Sequence, residues 1–186
     1  MRNFSNYQDL TIFSISENLK IAKYCLETPK KINTNSCYGM PALILLASVI
    51  DAIGMFYRNG DGKFSPITVK QVKAKQLGSV KSHFEYYYDK FLINNCEKKE
   101  FIVQFYEYAR CLGIHNGTLN PSIRITVKRN KKGLILEKRR VNYFIFLADL
   151  FDNVKDAFEK LKKESSACIE QEIPELTTGG TSNSNY

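Results

Sequence analysis

Arg110, Cys111, Leu112, Gly113, Ile114 and His115, followed by Asn116-Gly117, set a fixed cation close to a titratable imidazole where an apolar stretch gives way to a glycine-containing turn. Arginine carries a charge that does not titrate and a planar fork of donors shaped for phosphate, while histidine takes up and releases a proton near neutral pH. The pair suits work on a phosphodiester. Residues five apart on an ideal helix diverge by about 140°, so an unbroken helix would separate the two. A helix from about Lys98 to Leu112, ended by Gly113 in a left-handed or turn conformation, lets His115 fold back toward Arg110. Asn116 is placed either to orient the imidazole or contact phosphate, or to serve only as a left-handed turn residue before Gly117.

Arginine, four intervening residues and histidine, preceded by the apolar-aromatic run Phe101-Ile-Val-Gln-Phe-Tyr-Glu-Tyr-Ala109, resembles the signature of the HEPN superfamily. An earlier apolar segment, Pro41 to Ile53, is similar to a partner helix of that family, and the resemblance extends loosely from about Ser5 to Lys163. It implies an all-α helical bundle of about five helices and a metal-independent endoribonuclease. In degenerate members it implies non-catalytic RNA or nucleotide binding. Homodimers whose motifs meet across the interface are also implied, as is a setting in phage defence or a toxin-antitoxin pair, with an antitoxin or other regulatory protein as partner. Two positions depart from the pattern: Cys111 stands where many active members have a polar residue, and Gly117 where some have tyrosine.

On RNA, neutral His115 would take the proton of the ribose 2′-hydroxyl, which attacks the adjacent phosphorus while Arg110 stabilises the phosphate charge. The products are a 2′,3′-cyclic phosphate and a 5′-hydroxyl. The leaving oxygen needs a proton donor, and an isologous dimer supplies one as His115 of the partner subunit. Asp51, a lone acid in an apolar segment, is an auxiliary candidate to polarise His115, or else pairs with a lysine or reaches solvent.

The chain carries a net charge of +8, unevenly spread. From Glu164 onward there are four acids and no Lys or Arg, so the preceding body carries +12. Between Pro121 and Arg140 lie eight basic residues against the single Glu137. Arg124, Lys128, Arg129, Lys131 and Lys132 among them are expected to hold RNA backbone without reading sequence, or else to form a solvated surface.

At 186 residues, 44% hydrophobic and 25% charged, the chain has the size and composition of one globular domain. Five cysteines without a C-x-x-C pairing, and an N-terminus without an apolar leader, predict free thiols and a cytoplasmic location. The apolar stretch Tyr38 to Tyr57 contains Asp51 and is interrupted by Gly39, Pro41 and Gly54, which favours a buried helix over a membrane span. Neither a Gly-rich phosphate loop nor a zinc spacing occurs, so no cofactor or metal is expected.

Helices are expected from near Ser14 or Ser16, from Met40 to Tyr57, from Ser79 to Asn94 with His83 at its surface or cap, from Lys98 to Leu112, and from Val141 to Lys162. Thr28 to Ser36 reads as a loop, and Thr68 to Gln76 as a short helix or exposed loop. Alternation at Ile123, Ile125 and Val127, the turn Asn130-Lys-Lys-Gly133, and Leu134 to Leu136 predict a basic β-hairpin over about 122–139, inserted between helices. The domain is expected over 1–163, with an acidic, polar, disordered tail over 164–186. Two other functions fit the same sequence: a non-catalytic RNA- or nucleotide-binding module in which Cys111 marks a degenerate site, and a helical interaction protein that docks a partner through the hairpin or tail.

Overall fold

Helix α2 (Gly39–Met55) is the centre of the molecule. Ala42, Leu43, Leu46, Ala47, Val49, Ile50 and Ile53 on it are all fully buried, which is how a helix that is apolar around most of its circumference is accommodated. The structure is a computed structural model, and it describes residues 7–30, 33–37, 39–96, 102, 105–107 and 122–171. Around α2 pack α1 (Tyr7–Glu27), α4 (Val80–Tyr87) and α5 (Leu147–Gln171). Helix α3 (Val69–Lys73) is a short connector, closed by a reciprocal capping box between Thr68 and Gln71.

Sequence signals account for these elements. Ser79 accepts from the Ser82 amide and starts α4, and α5 buries Leu147, Leu150, Val154, Ala157, Phe158 and Leu161 at three- and four-residue spacing. Helix α4 passes into a π-helical turn (Tyr88–Leu92), whose irregular backbone is held from α5: Asn153 Nδ2 donates to the Phe91 carbonyl at 2.9 Å, and Tyr87 Oη donates to Asn153 Oδ1 at 2.7 Å. Ile102 and Phe105 join the core, with the Phe105 and Tyr106 rings against Phe84.

Helix α2 approaches α4 closely at Gly54, where a Cβ would lie 2.0 Å from the His83 carbonyl oxygen. Only a hydrogen at that position permits the crossing. After α2, the buried guanidinium of Arg58 donates to the carbonyls of Met55, Ser65 and Pro66, so it caps the helix end and closes the glycine-rich loop behind it.

The fold is mixed α and β, which corrects the all-α bundle with an inserted hairpin. Strands β1 (Pro29–Lys30) and β2 (Asn33–Cys37) form a small antiparallel pair where a loop was expected. Strands β3 (Ile123–Thr126), β4 (Leu136–Arg139) and β5 (Asn142–Phe146) form a three-stranded sheet in the order β3-β5-β4. β3 and β4 therefore do not pair with each other over 122–139. The strand between them is β5, parallel to β3 and antiparallel to β4, taken from residues read as the start of the last helix.

The reason is local. In Asn142-Tyr-Phe-Ile-Phe146 the side chains alternate between two faces, and aromatic and β-branched residues fit a pleated surface, yet so short an apolar run also matches a helical period. Helix α5 accordingly starts at Leu147 rather than Val141 and extends to Gln171, past the boundary expected at 163. Tyr57 Oη donates to Glu164 at 2.9 Å and Gln8 Nε2 to Ser165 Oγ at 2.7 Å, which tie that extension to the body. Helix α1 likewise starts at Tyr7, ahead of Ser14 and Ser16.

Candidate nucleic-acid interface

The sheet has two unlike faces. Ile123, Ile125, Leu136, Tyr143 and Ile145 pack in or against the core, and the residues between them point the other way. Register places Arg124 and Glu137 on either side of Phe144, with Thr126 beside Phe146 and Arg139 on the same face as Glu137. Here sit two aromatic rings outside the core cluster, surrounded by charge.

The loop from β3 to β4 brings further cations over this face, and its shape depends on one buried side chain. Asn130 donates from its backbone amide to Asp149 in the first turn of α5 at 2.7 Å, and from Nδ2 to Glu137 at 3.1 Å. Its Oδ1 accepts from the Lys132 amide at 2.8 Å, and its carbonyl from the Gly133 amide at 3.1 Å, closing the expected turn, in which Gly133 has φ +70°. The loop is thus fixed to both the sheet and the last helix.

Thr126, Lys128, Arg129, Asn130, Lys131, Lys132, Arg139, Phe144 and Phe146 line a cleft of about 440 Å³. Four of the five basic residues expected to contact RNA converge there; Arg124 stands on the same sheet face without lining the cleft. Their states differ. Arg129 is paired with Asp149 at 3.2 Å and Asp152 at 2.5 Å, and Lys132 reaches Glu137 at 3.3 Å. Lys128 and Lys131 are exposed and form no ion pair among the described residues.

Glu137 is the buried acid behind the cleft, bonded to three residues that line it. Arg139 donates to its Oε2 from Nε at 2.8 Å and from Nη2 at 2.5 Å, and that contact first, with Lys132 and Asn130 adding to it, holds the carboxyl below the usual glutamate range against the opposing effect of burial. Arg139 also lies over both rings, 5.0 Å from the centre of Phe144 and 5.5 Å from that of Phe146. Neither Arg139 nor the two phenylalanines were marked as site residues from the sequence. The available signal is the alternation of Phe144 and Phe146 with Tyr143 and Ile145, a run short enough to fit a helical period as well.

No family model, curated protein or solved structure matches the chain. The site therefore rests on its own chemistry.

Arg110, His115 and Asn116 lie outside the described residues. Asp51 is described: its carboxylate is 2.7 Å from Nδ1 of His83. His83 is buried, not on the surface or at a cap, and its Nε2 donates to the Leu77 carbonyl at 2.6 Å. Among the described residues no three His, Cys, Asp or Glu side chains gather as a metal site, and no helix is long and apolar enough to cross a membrane.

Proposed function

We propose that this protein binds RNA along the cationic face of its mixed sheet and cleaves it, without metal, through Arg110 and His115. The observation that carries the binding is the convergence of Lys128, Arg129, Lys131, Lys132 and Arg139 on one cleft, with Lys128 and Lys131 open to an anion. Phosphate is the ligand that such an array attracts without regard to sequence, and each phosphate neutralised releases condensed counterions. The cleavage takes its support from the Arg110, Cys111, Leu112, Gly113, Ile114, His115 spacing and its likeness to the HEPN signature, not from the fold.

In this reading the protein works in the cytoplasm, where the free thiols of Cys25 and Cys96 stay reduced. A homodimer supplies a second His115 as the acid that protonates the leaving 5′-oxygen. In a defence or toxin-antitoxin setting, the acidic C-terminal segment or a separate antitoxin restrains the nuclease by covering the same cations.

Purified protein in EDTA is expected to cut RNA and leave 2′,3′-cyclic phosphate ends, with cleavage lost in both Arg110→Ala and His115→Ala. Equal cutting by wild type and both variants overturns the catalytic assignment. Binding that weakens with salt but never yields product identifies the non-catalytic RNA-binding module, for which Cys111 is the marker.

A further inference from the structure

The cationic groups of the cleft are not equivalent, and their differences say which part of a nucleotide each one meets. Arg139 has spent Nε and Nη2 on Glu137, so little of its charge or donor fork remains for a phosphate. What it still presents is a flat surface. The guanidinium is fixed by the carboxylate at its edge and by Phe144 and Phe146 beneath, while 53% of the side chain remains exposed. Lys132 shares the same carboxylate, and Arg129 is held by two aspartates. Lys128 and Lys131, on the rim of the same cleft, are the cations with no ion pair among the described residues.

We propose that the cleft is a single-strand site, in which an unpaired nucleobase stacks on the Arg139 guanidinium above Phe144 and Phe146 while flanking phosphates meet Lys128 and Lys131. The assignment rests on the RNA-binding reading above and narrows it. Guanidinium planes and aromatic rings take splayed-out bases of any identity, because every base has a π face. A duplex keeps its base faces stacked on one another and offers the shelf only its backbone. A cleft of about 440 Å³ has room for a single nucleotide and not for a helix. An acidic peptide would satisfy the lysines but leave the flat, neutralised shelf without a function.

The test uses the full chain and 2′-O-methyl RNA, which cannot be cleaved by 2′-hydroxyl attack, as a labelled single strand and as the same strand in a duplex. Wild type is expected to bind the single strand at least tenfold more tightly at matched salt. Arg139→Lys, which keeps the charge but removes the plane, and Phe144→Leu, which keeps an apolar floor, should each weaken single-strand binding about tenfold and duplex binding by a clearly smaller factor. A strand carrying 2-aminopurine should lose fluorescence on binding wild type and not on binding Arg139→Lys. Lys128→Ala with Lys131→Ala should weaken both forms and flatten the salt dependence. Single-strand affinity unchanged in Arg139→Lys and Phe144→Leu overturns the stacking site and leaves the RNA-binding reading standing. No RNA binding by wild type overturns both, whereas displacement of the bound strand by polyglutamate at equal concentration overturns the stacking site alone, since charge would then account for the binding.

Discussion

His83 Nδ1 lies 2.7 Å from Asp51 Oδ1, and the other ring nitrogen gives its proton to the Leu77 carbonyl at 2.6 Å. Both edges of a buried imidazole are thereby committed to structure. Asp51 was a candidate to polarise His115; its described contact is to His83, one helical turn from the point where Gly54 brings α2 against α4. Gly54→Ala would put a methyl group within 2.0 Å of backbone that cannot yield, and a loss of about 3 kcal/mol or more is expected from such overpacking. Asp51→Ala, which leaves a buried ring nitrogen without its hydrogen-bond partner, should cost about 1–3 kcal/mol. Urea unfolding measures both, and wild-type midpoints in the two variants would contradict this account of the crossing.

The C-terminal part of α5 is expected to contribute to stability. A chain ending at Lys163 loses the Tyr57–Glu164 and Gln8–Ser165 hydrogen bonds, worth on the order of 2 kcal/mol together, or about 5 °C in Tm. A chain ending at Gln171 should melt like the full protein. Tyr57→Phe alone should show about half the loss. Identical melting of the chains ending at 163 and 171 would show that the helix extension contributes nothing.

Acid should weaken the cleft through Glu137. Its carboxyl is held below the ordinary glutamate value of 4.5, chiefly by Arg139, so its stabilising contribution is complete above that value and disappears as pH falls through the lower, folded-state value. Glu137→Gln should therefore be less stable than wild type at neutral pH, with the gap closing only below the ordinary carboxylate range. A gap that is constant from pH 7 down to acid unfolding would contradict the assignment.

Burial pushes the Cys96 thiol up to about 12. The thiolate is the reactive form, so iodoacetamide at pH 8 should leave Cys96 unmodified in native protein and alkylate it in urea, as read by peptide mass. Rapid alkylation of the folded chain would mean that the strand edge at Cys96 and Leu136, where the two residues form a parallel bridge, opens freely.

The helices were legible where period and caps agreed. α2 and most of α5 follow from the apolar residues they bury, and the Asn130 to Gly133 turn from its composition. β5 was not legible, because five residues of mixed aromatic and β-branched type satisfy two periodicities at once, and only pairing with both β3 and β4 decides between them. The two-residue connection at Arg140 and Val141 hid the hairpin further: Arg140 adopts φ +55°, a conformation usually signalled by glycine or asparagine. Basic character was visible in the composition, whereas the pairing was not: Arg129 is spent on Asp149 and Asp152 of a different element, and Lys132 and Arg139 on Glu137 of β4.

Strand β5 ends at Phe146 and α5 begins at Leu147, with no residue between them. The floor of the cleft is consequently the short arm of a stiff lever whose long arm is 25 residues, about 37 Å at 1.5 Å per residue. Any tilt that a bound strand imposes on Phe144 and Phe146 would load that rod against the Tyr57–Glu164 bond, 17 residues along it.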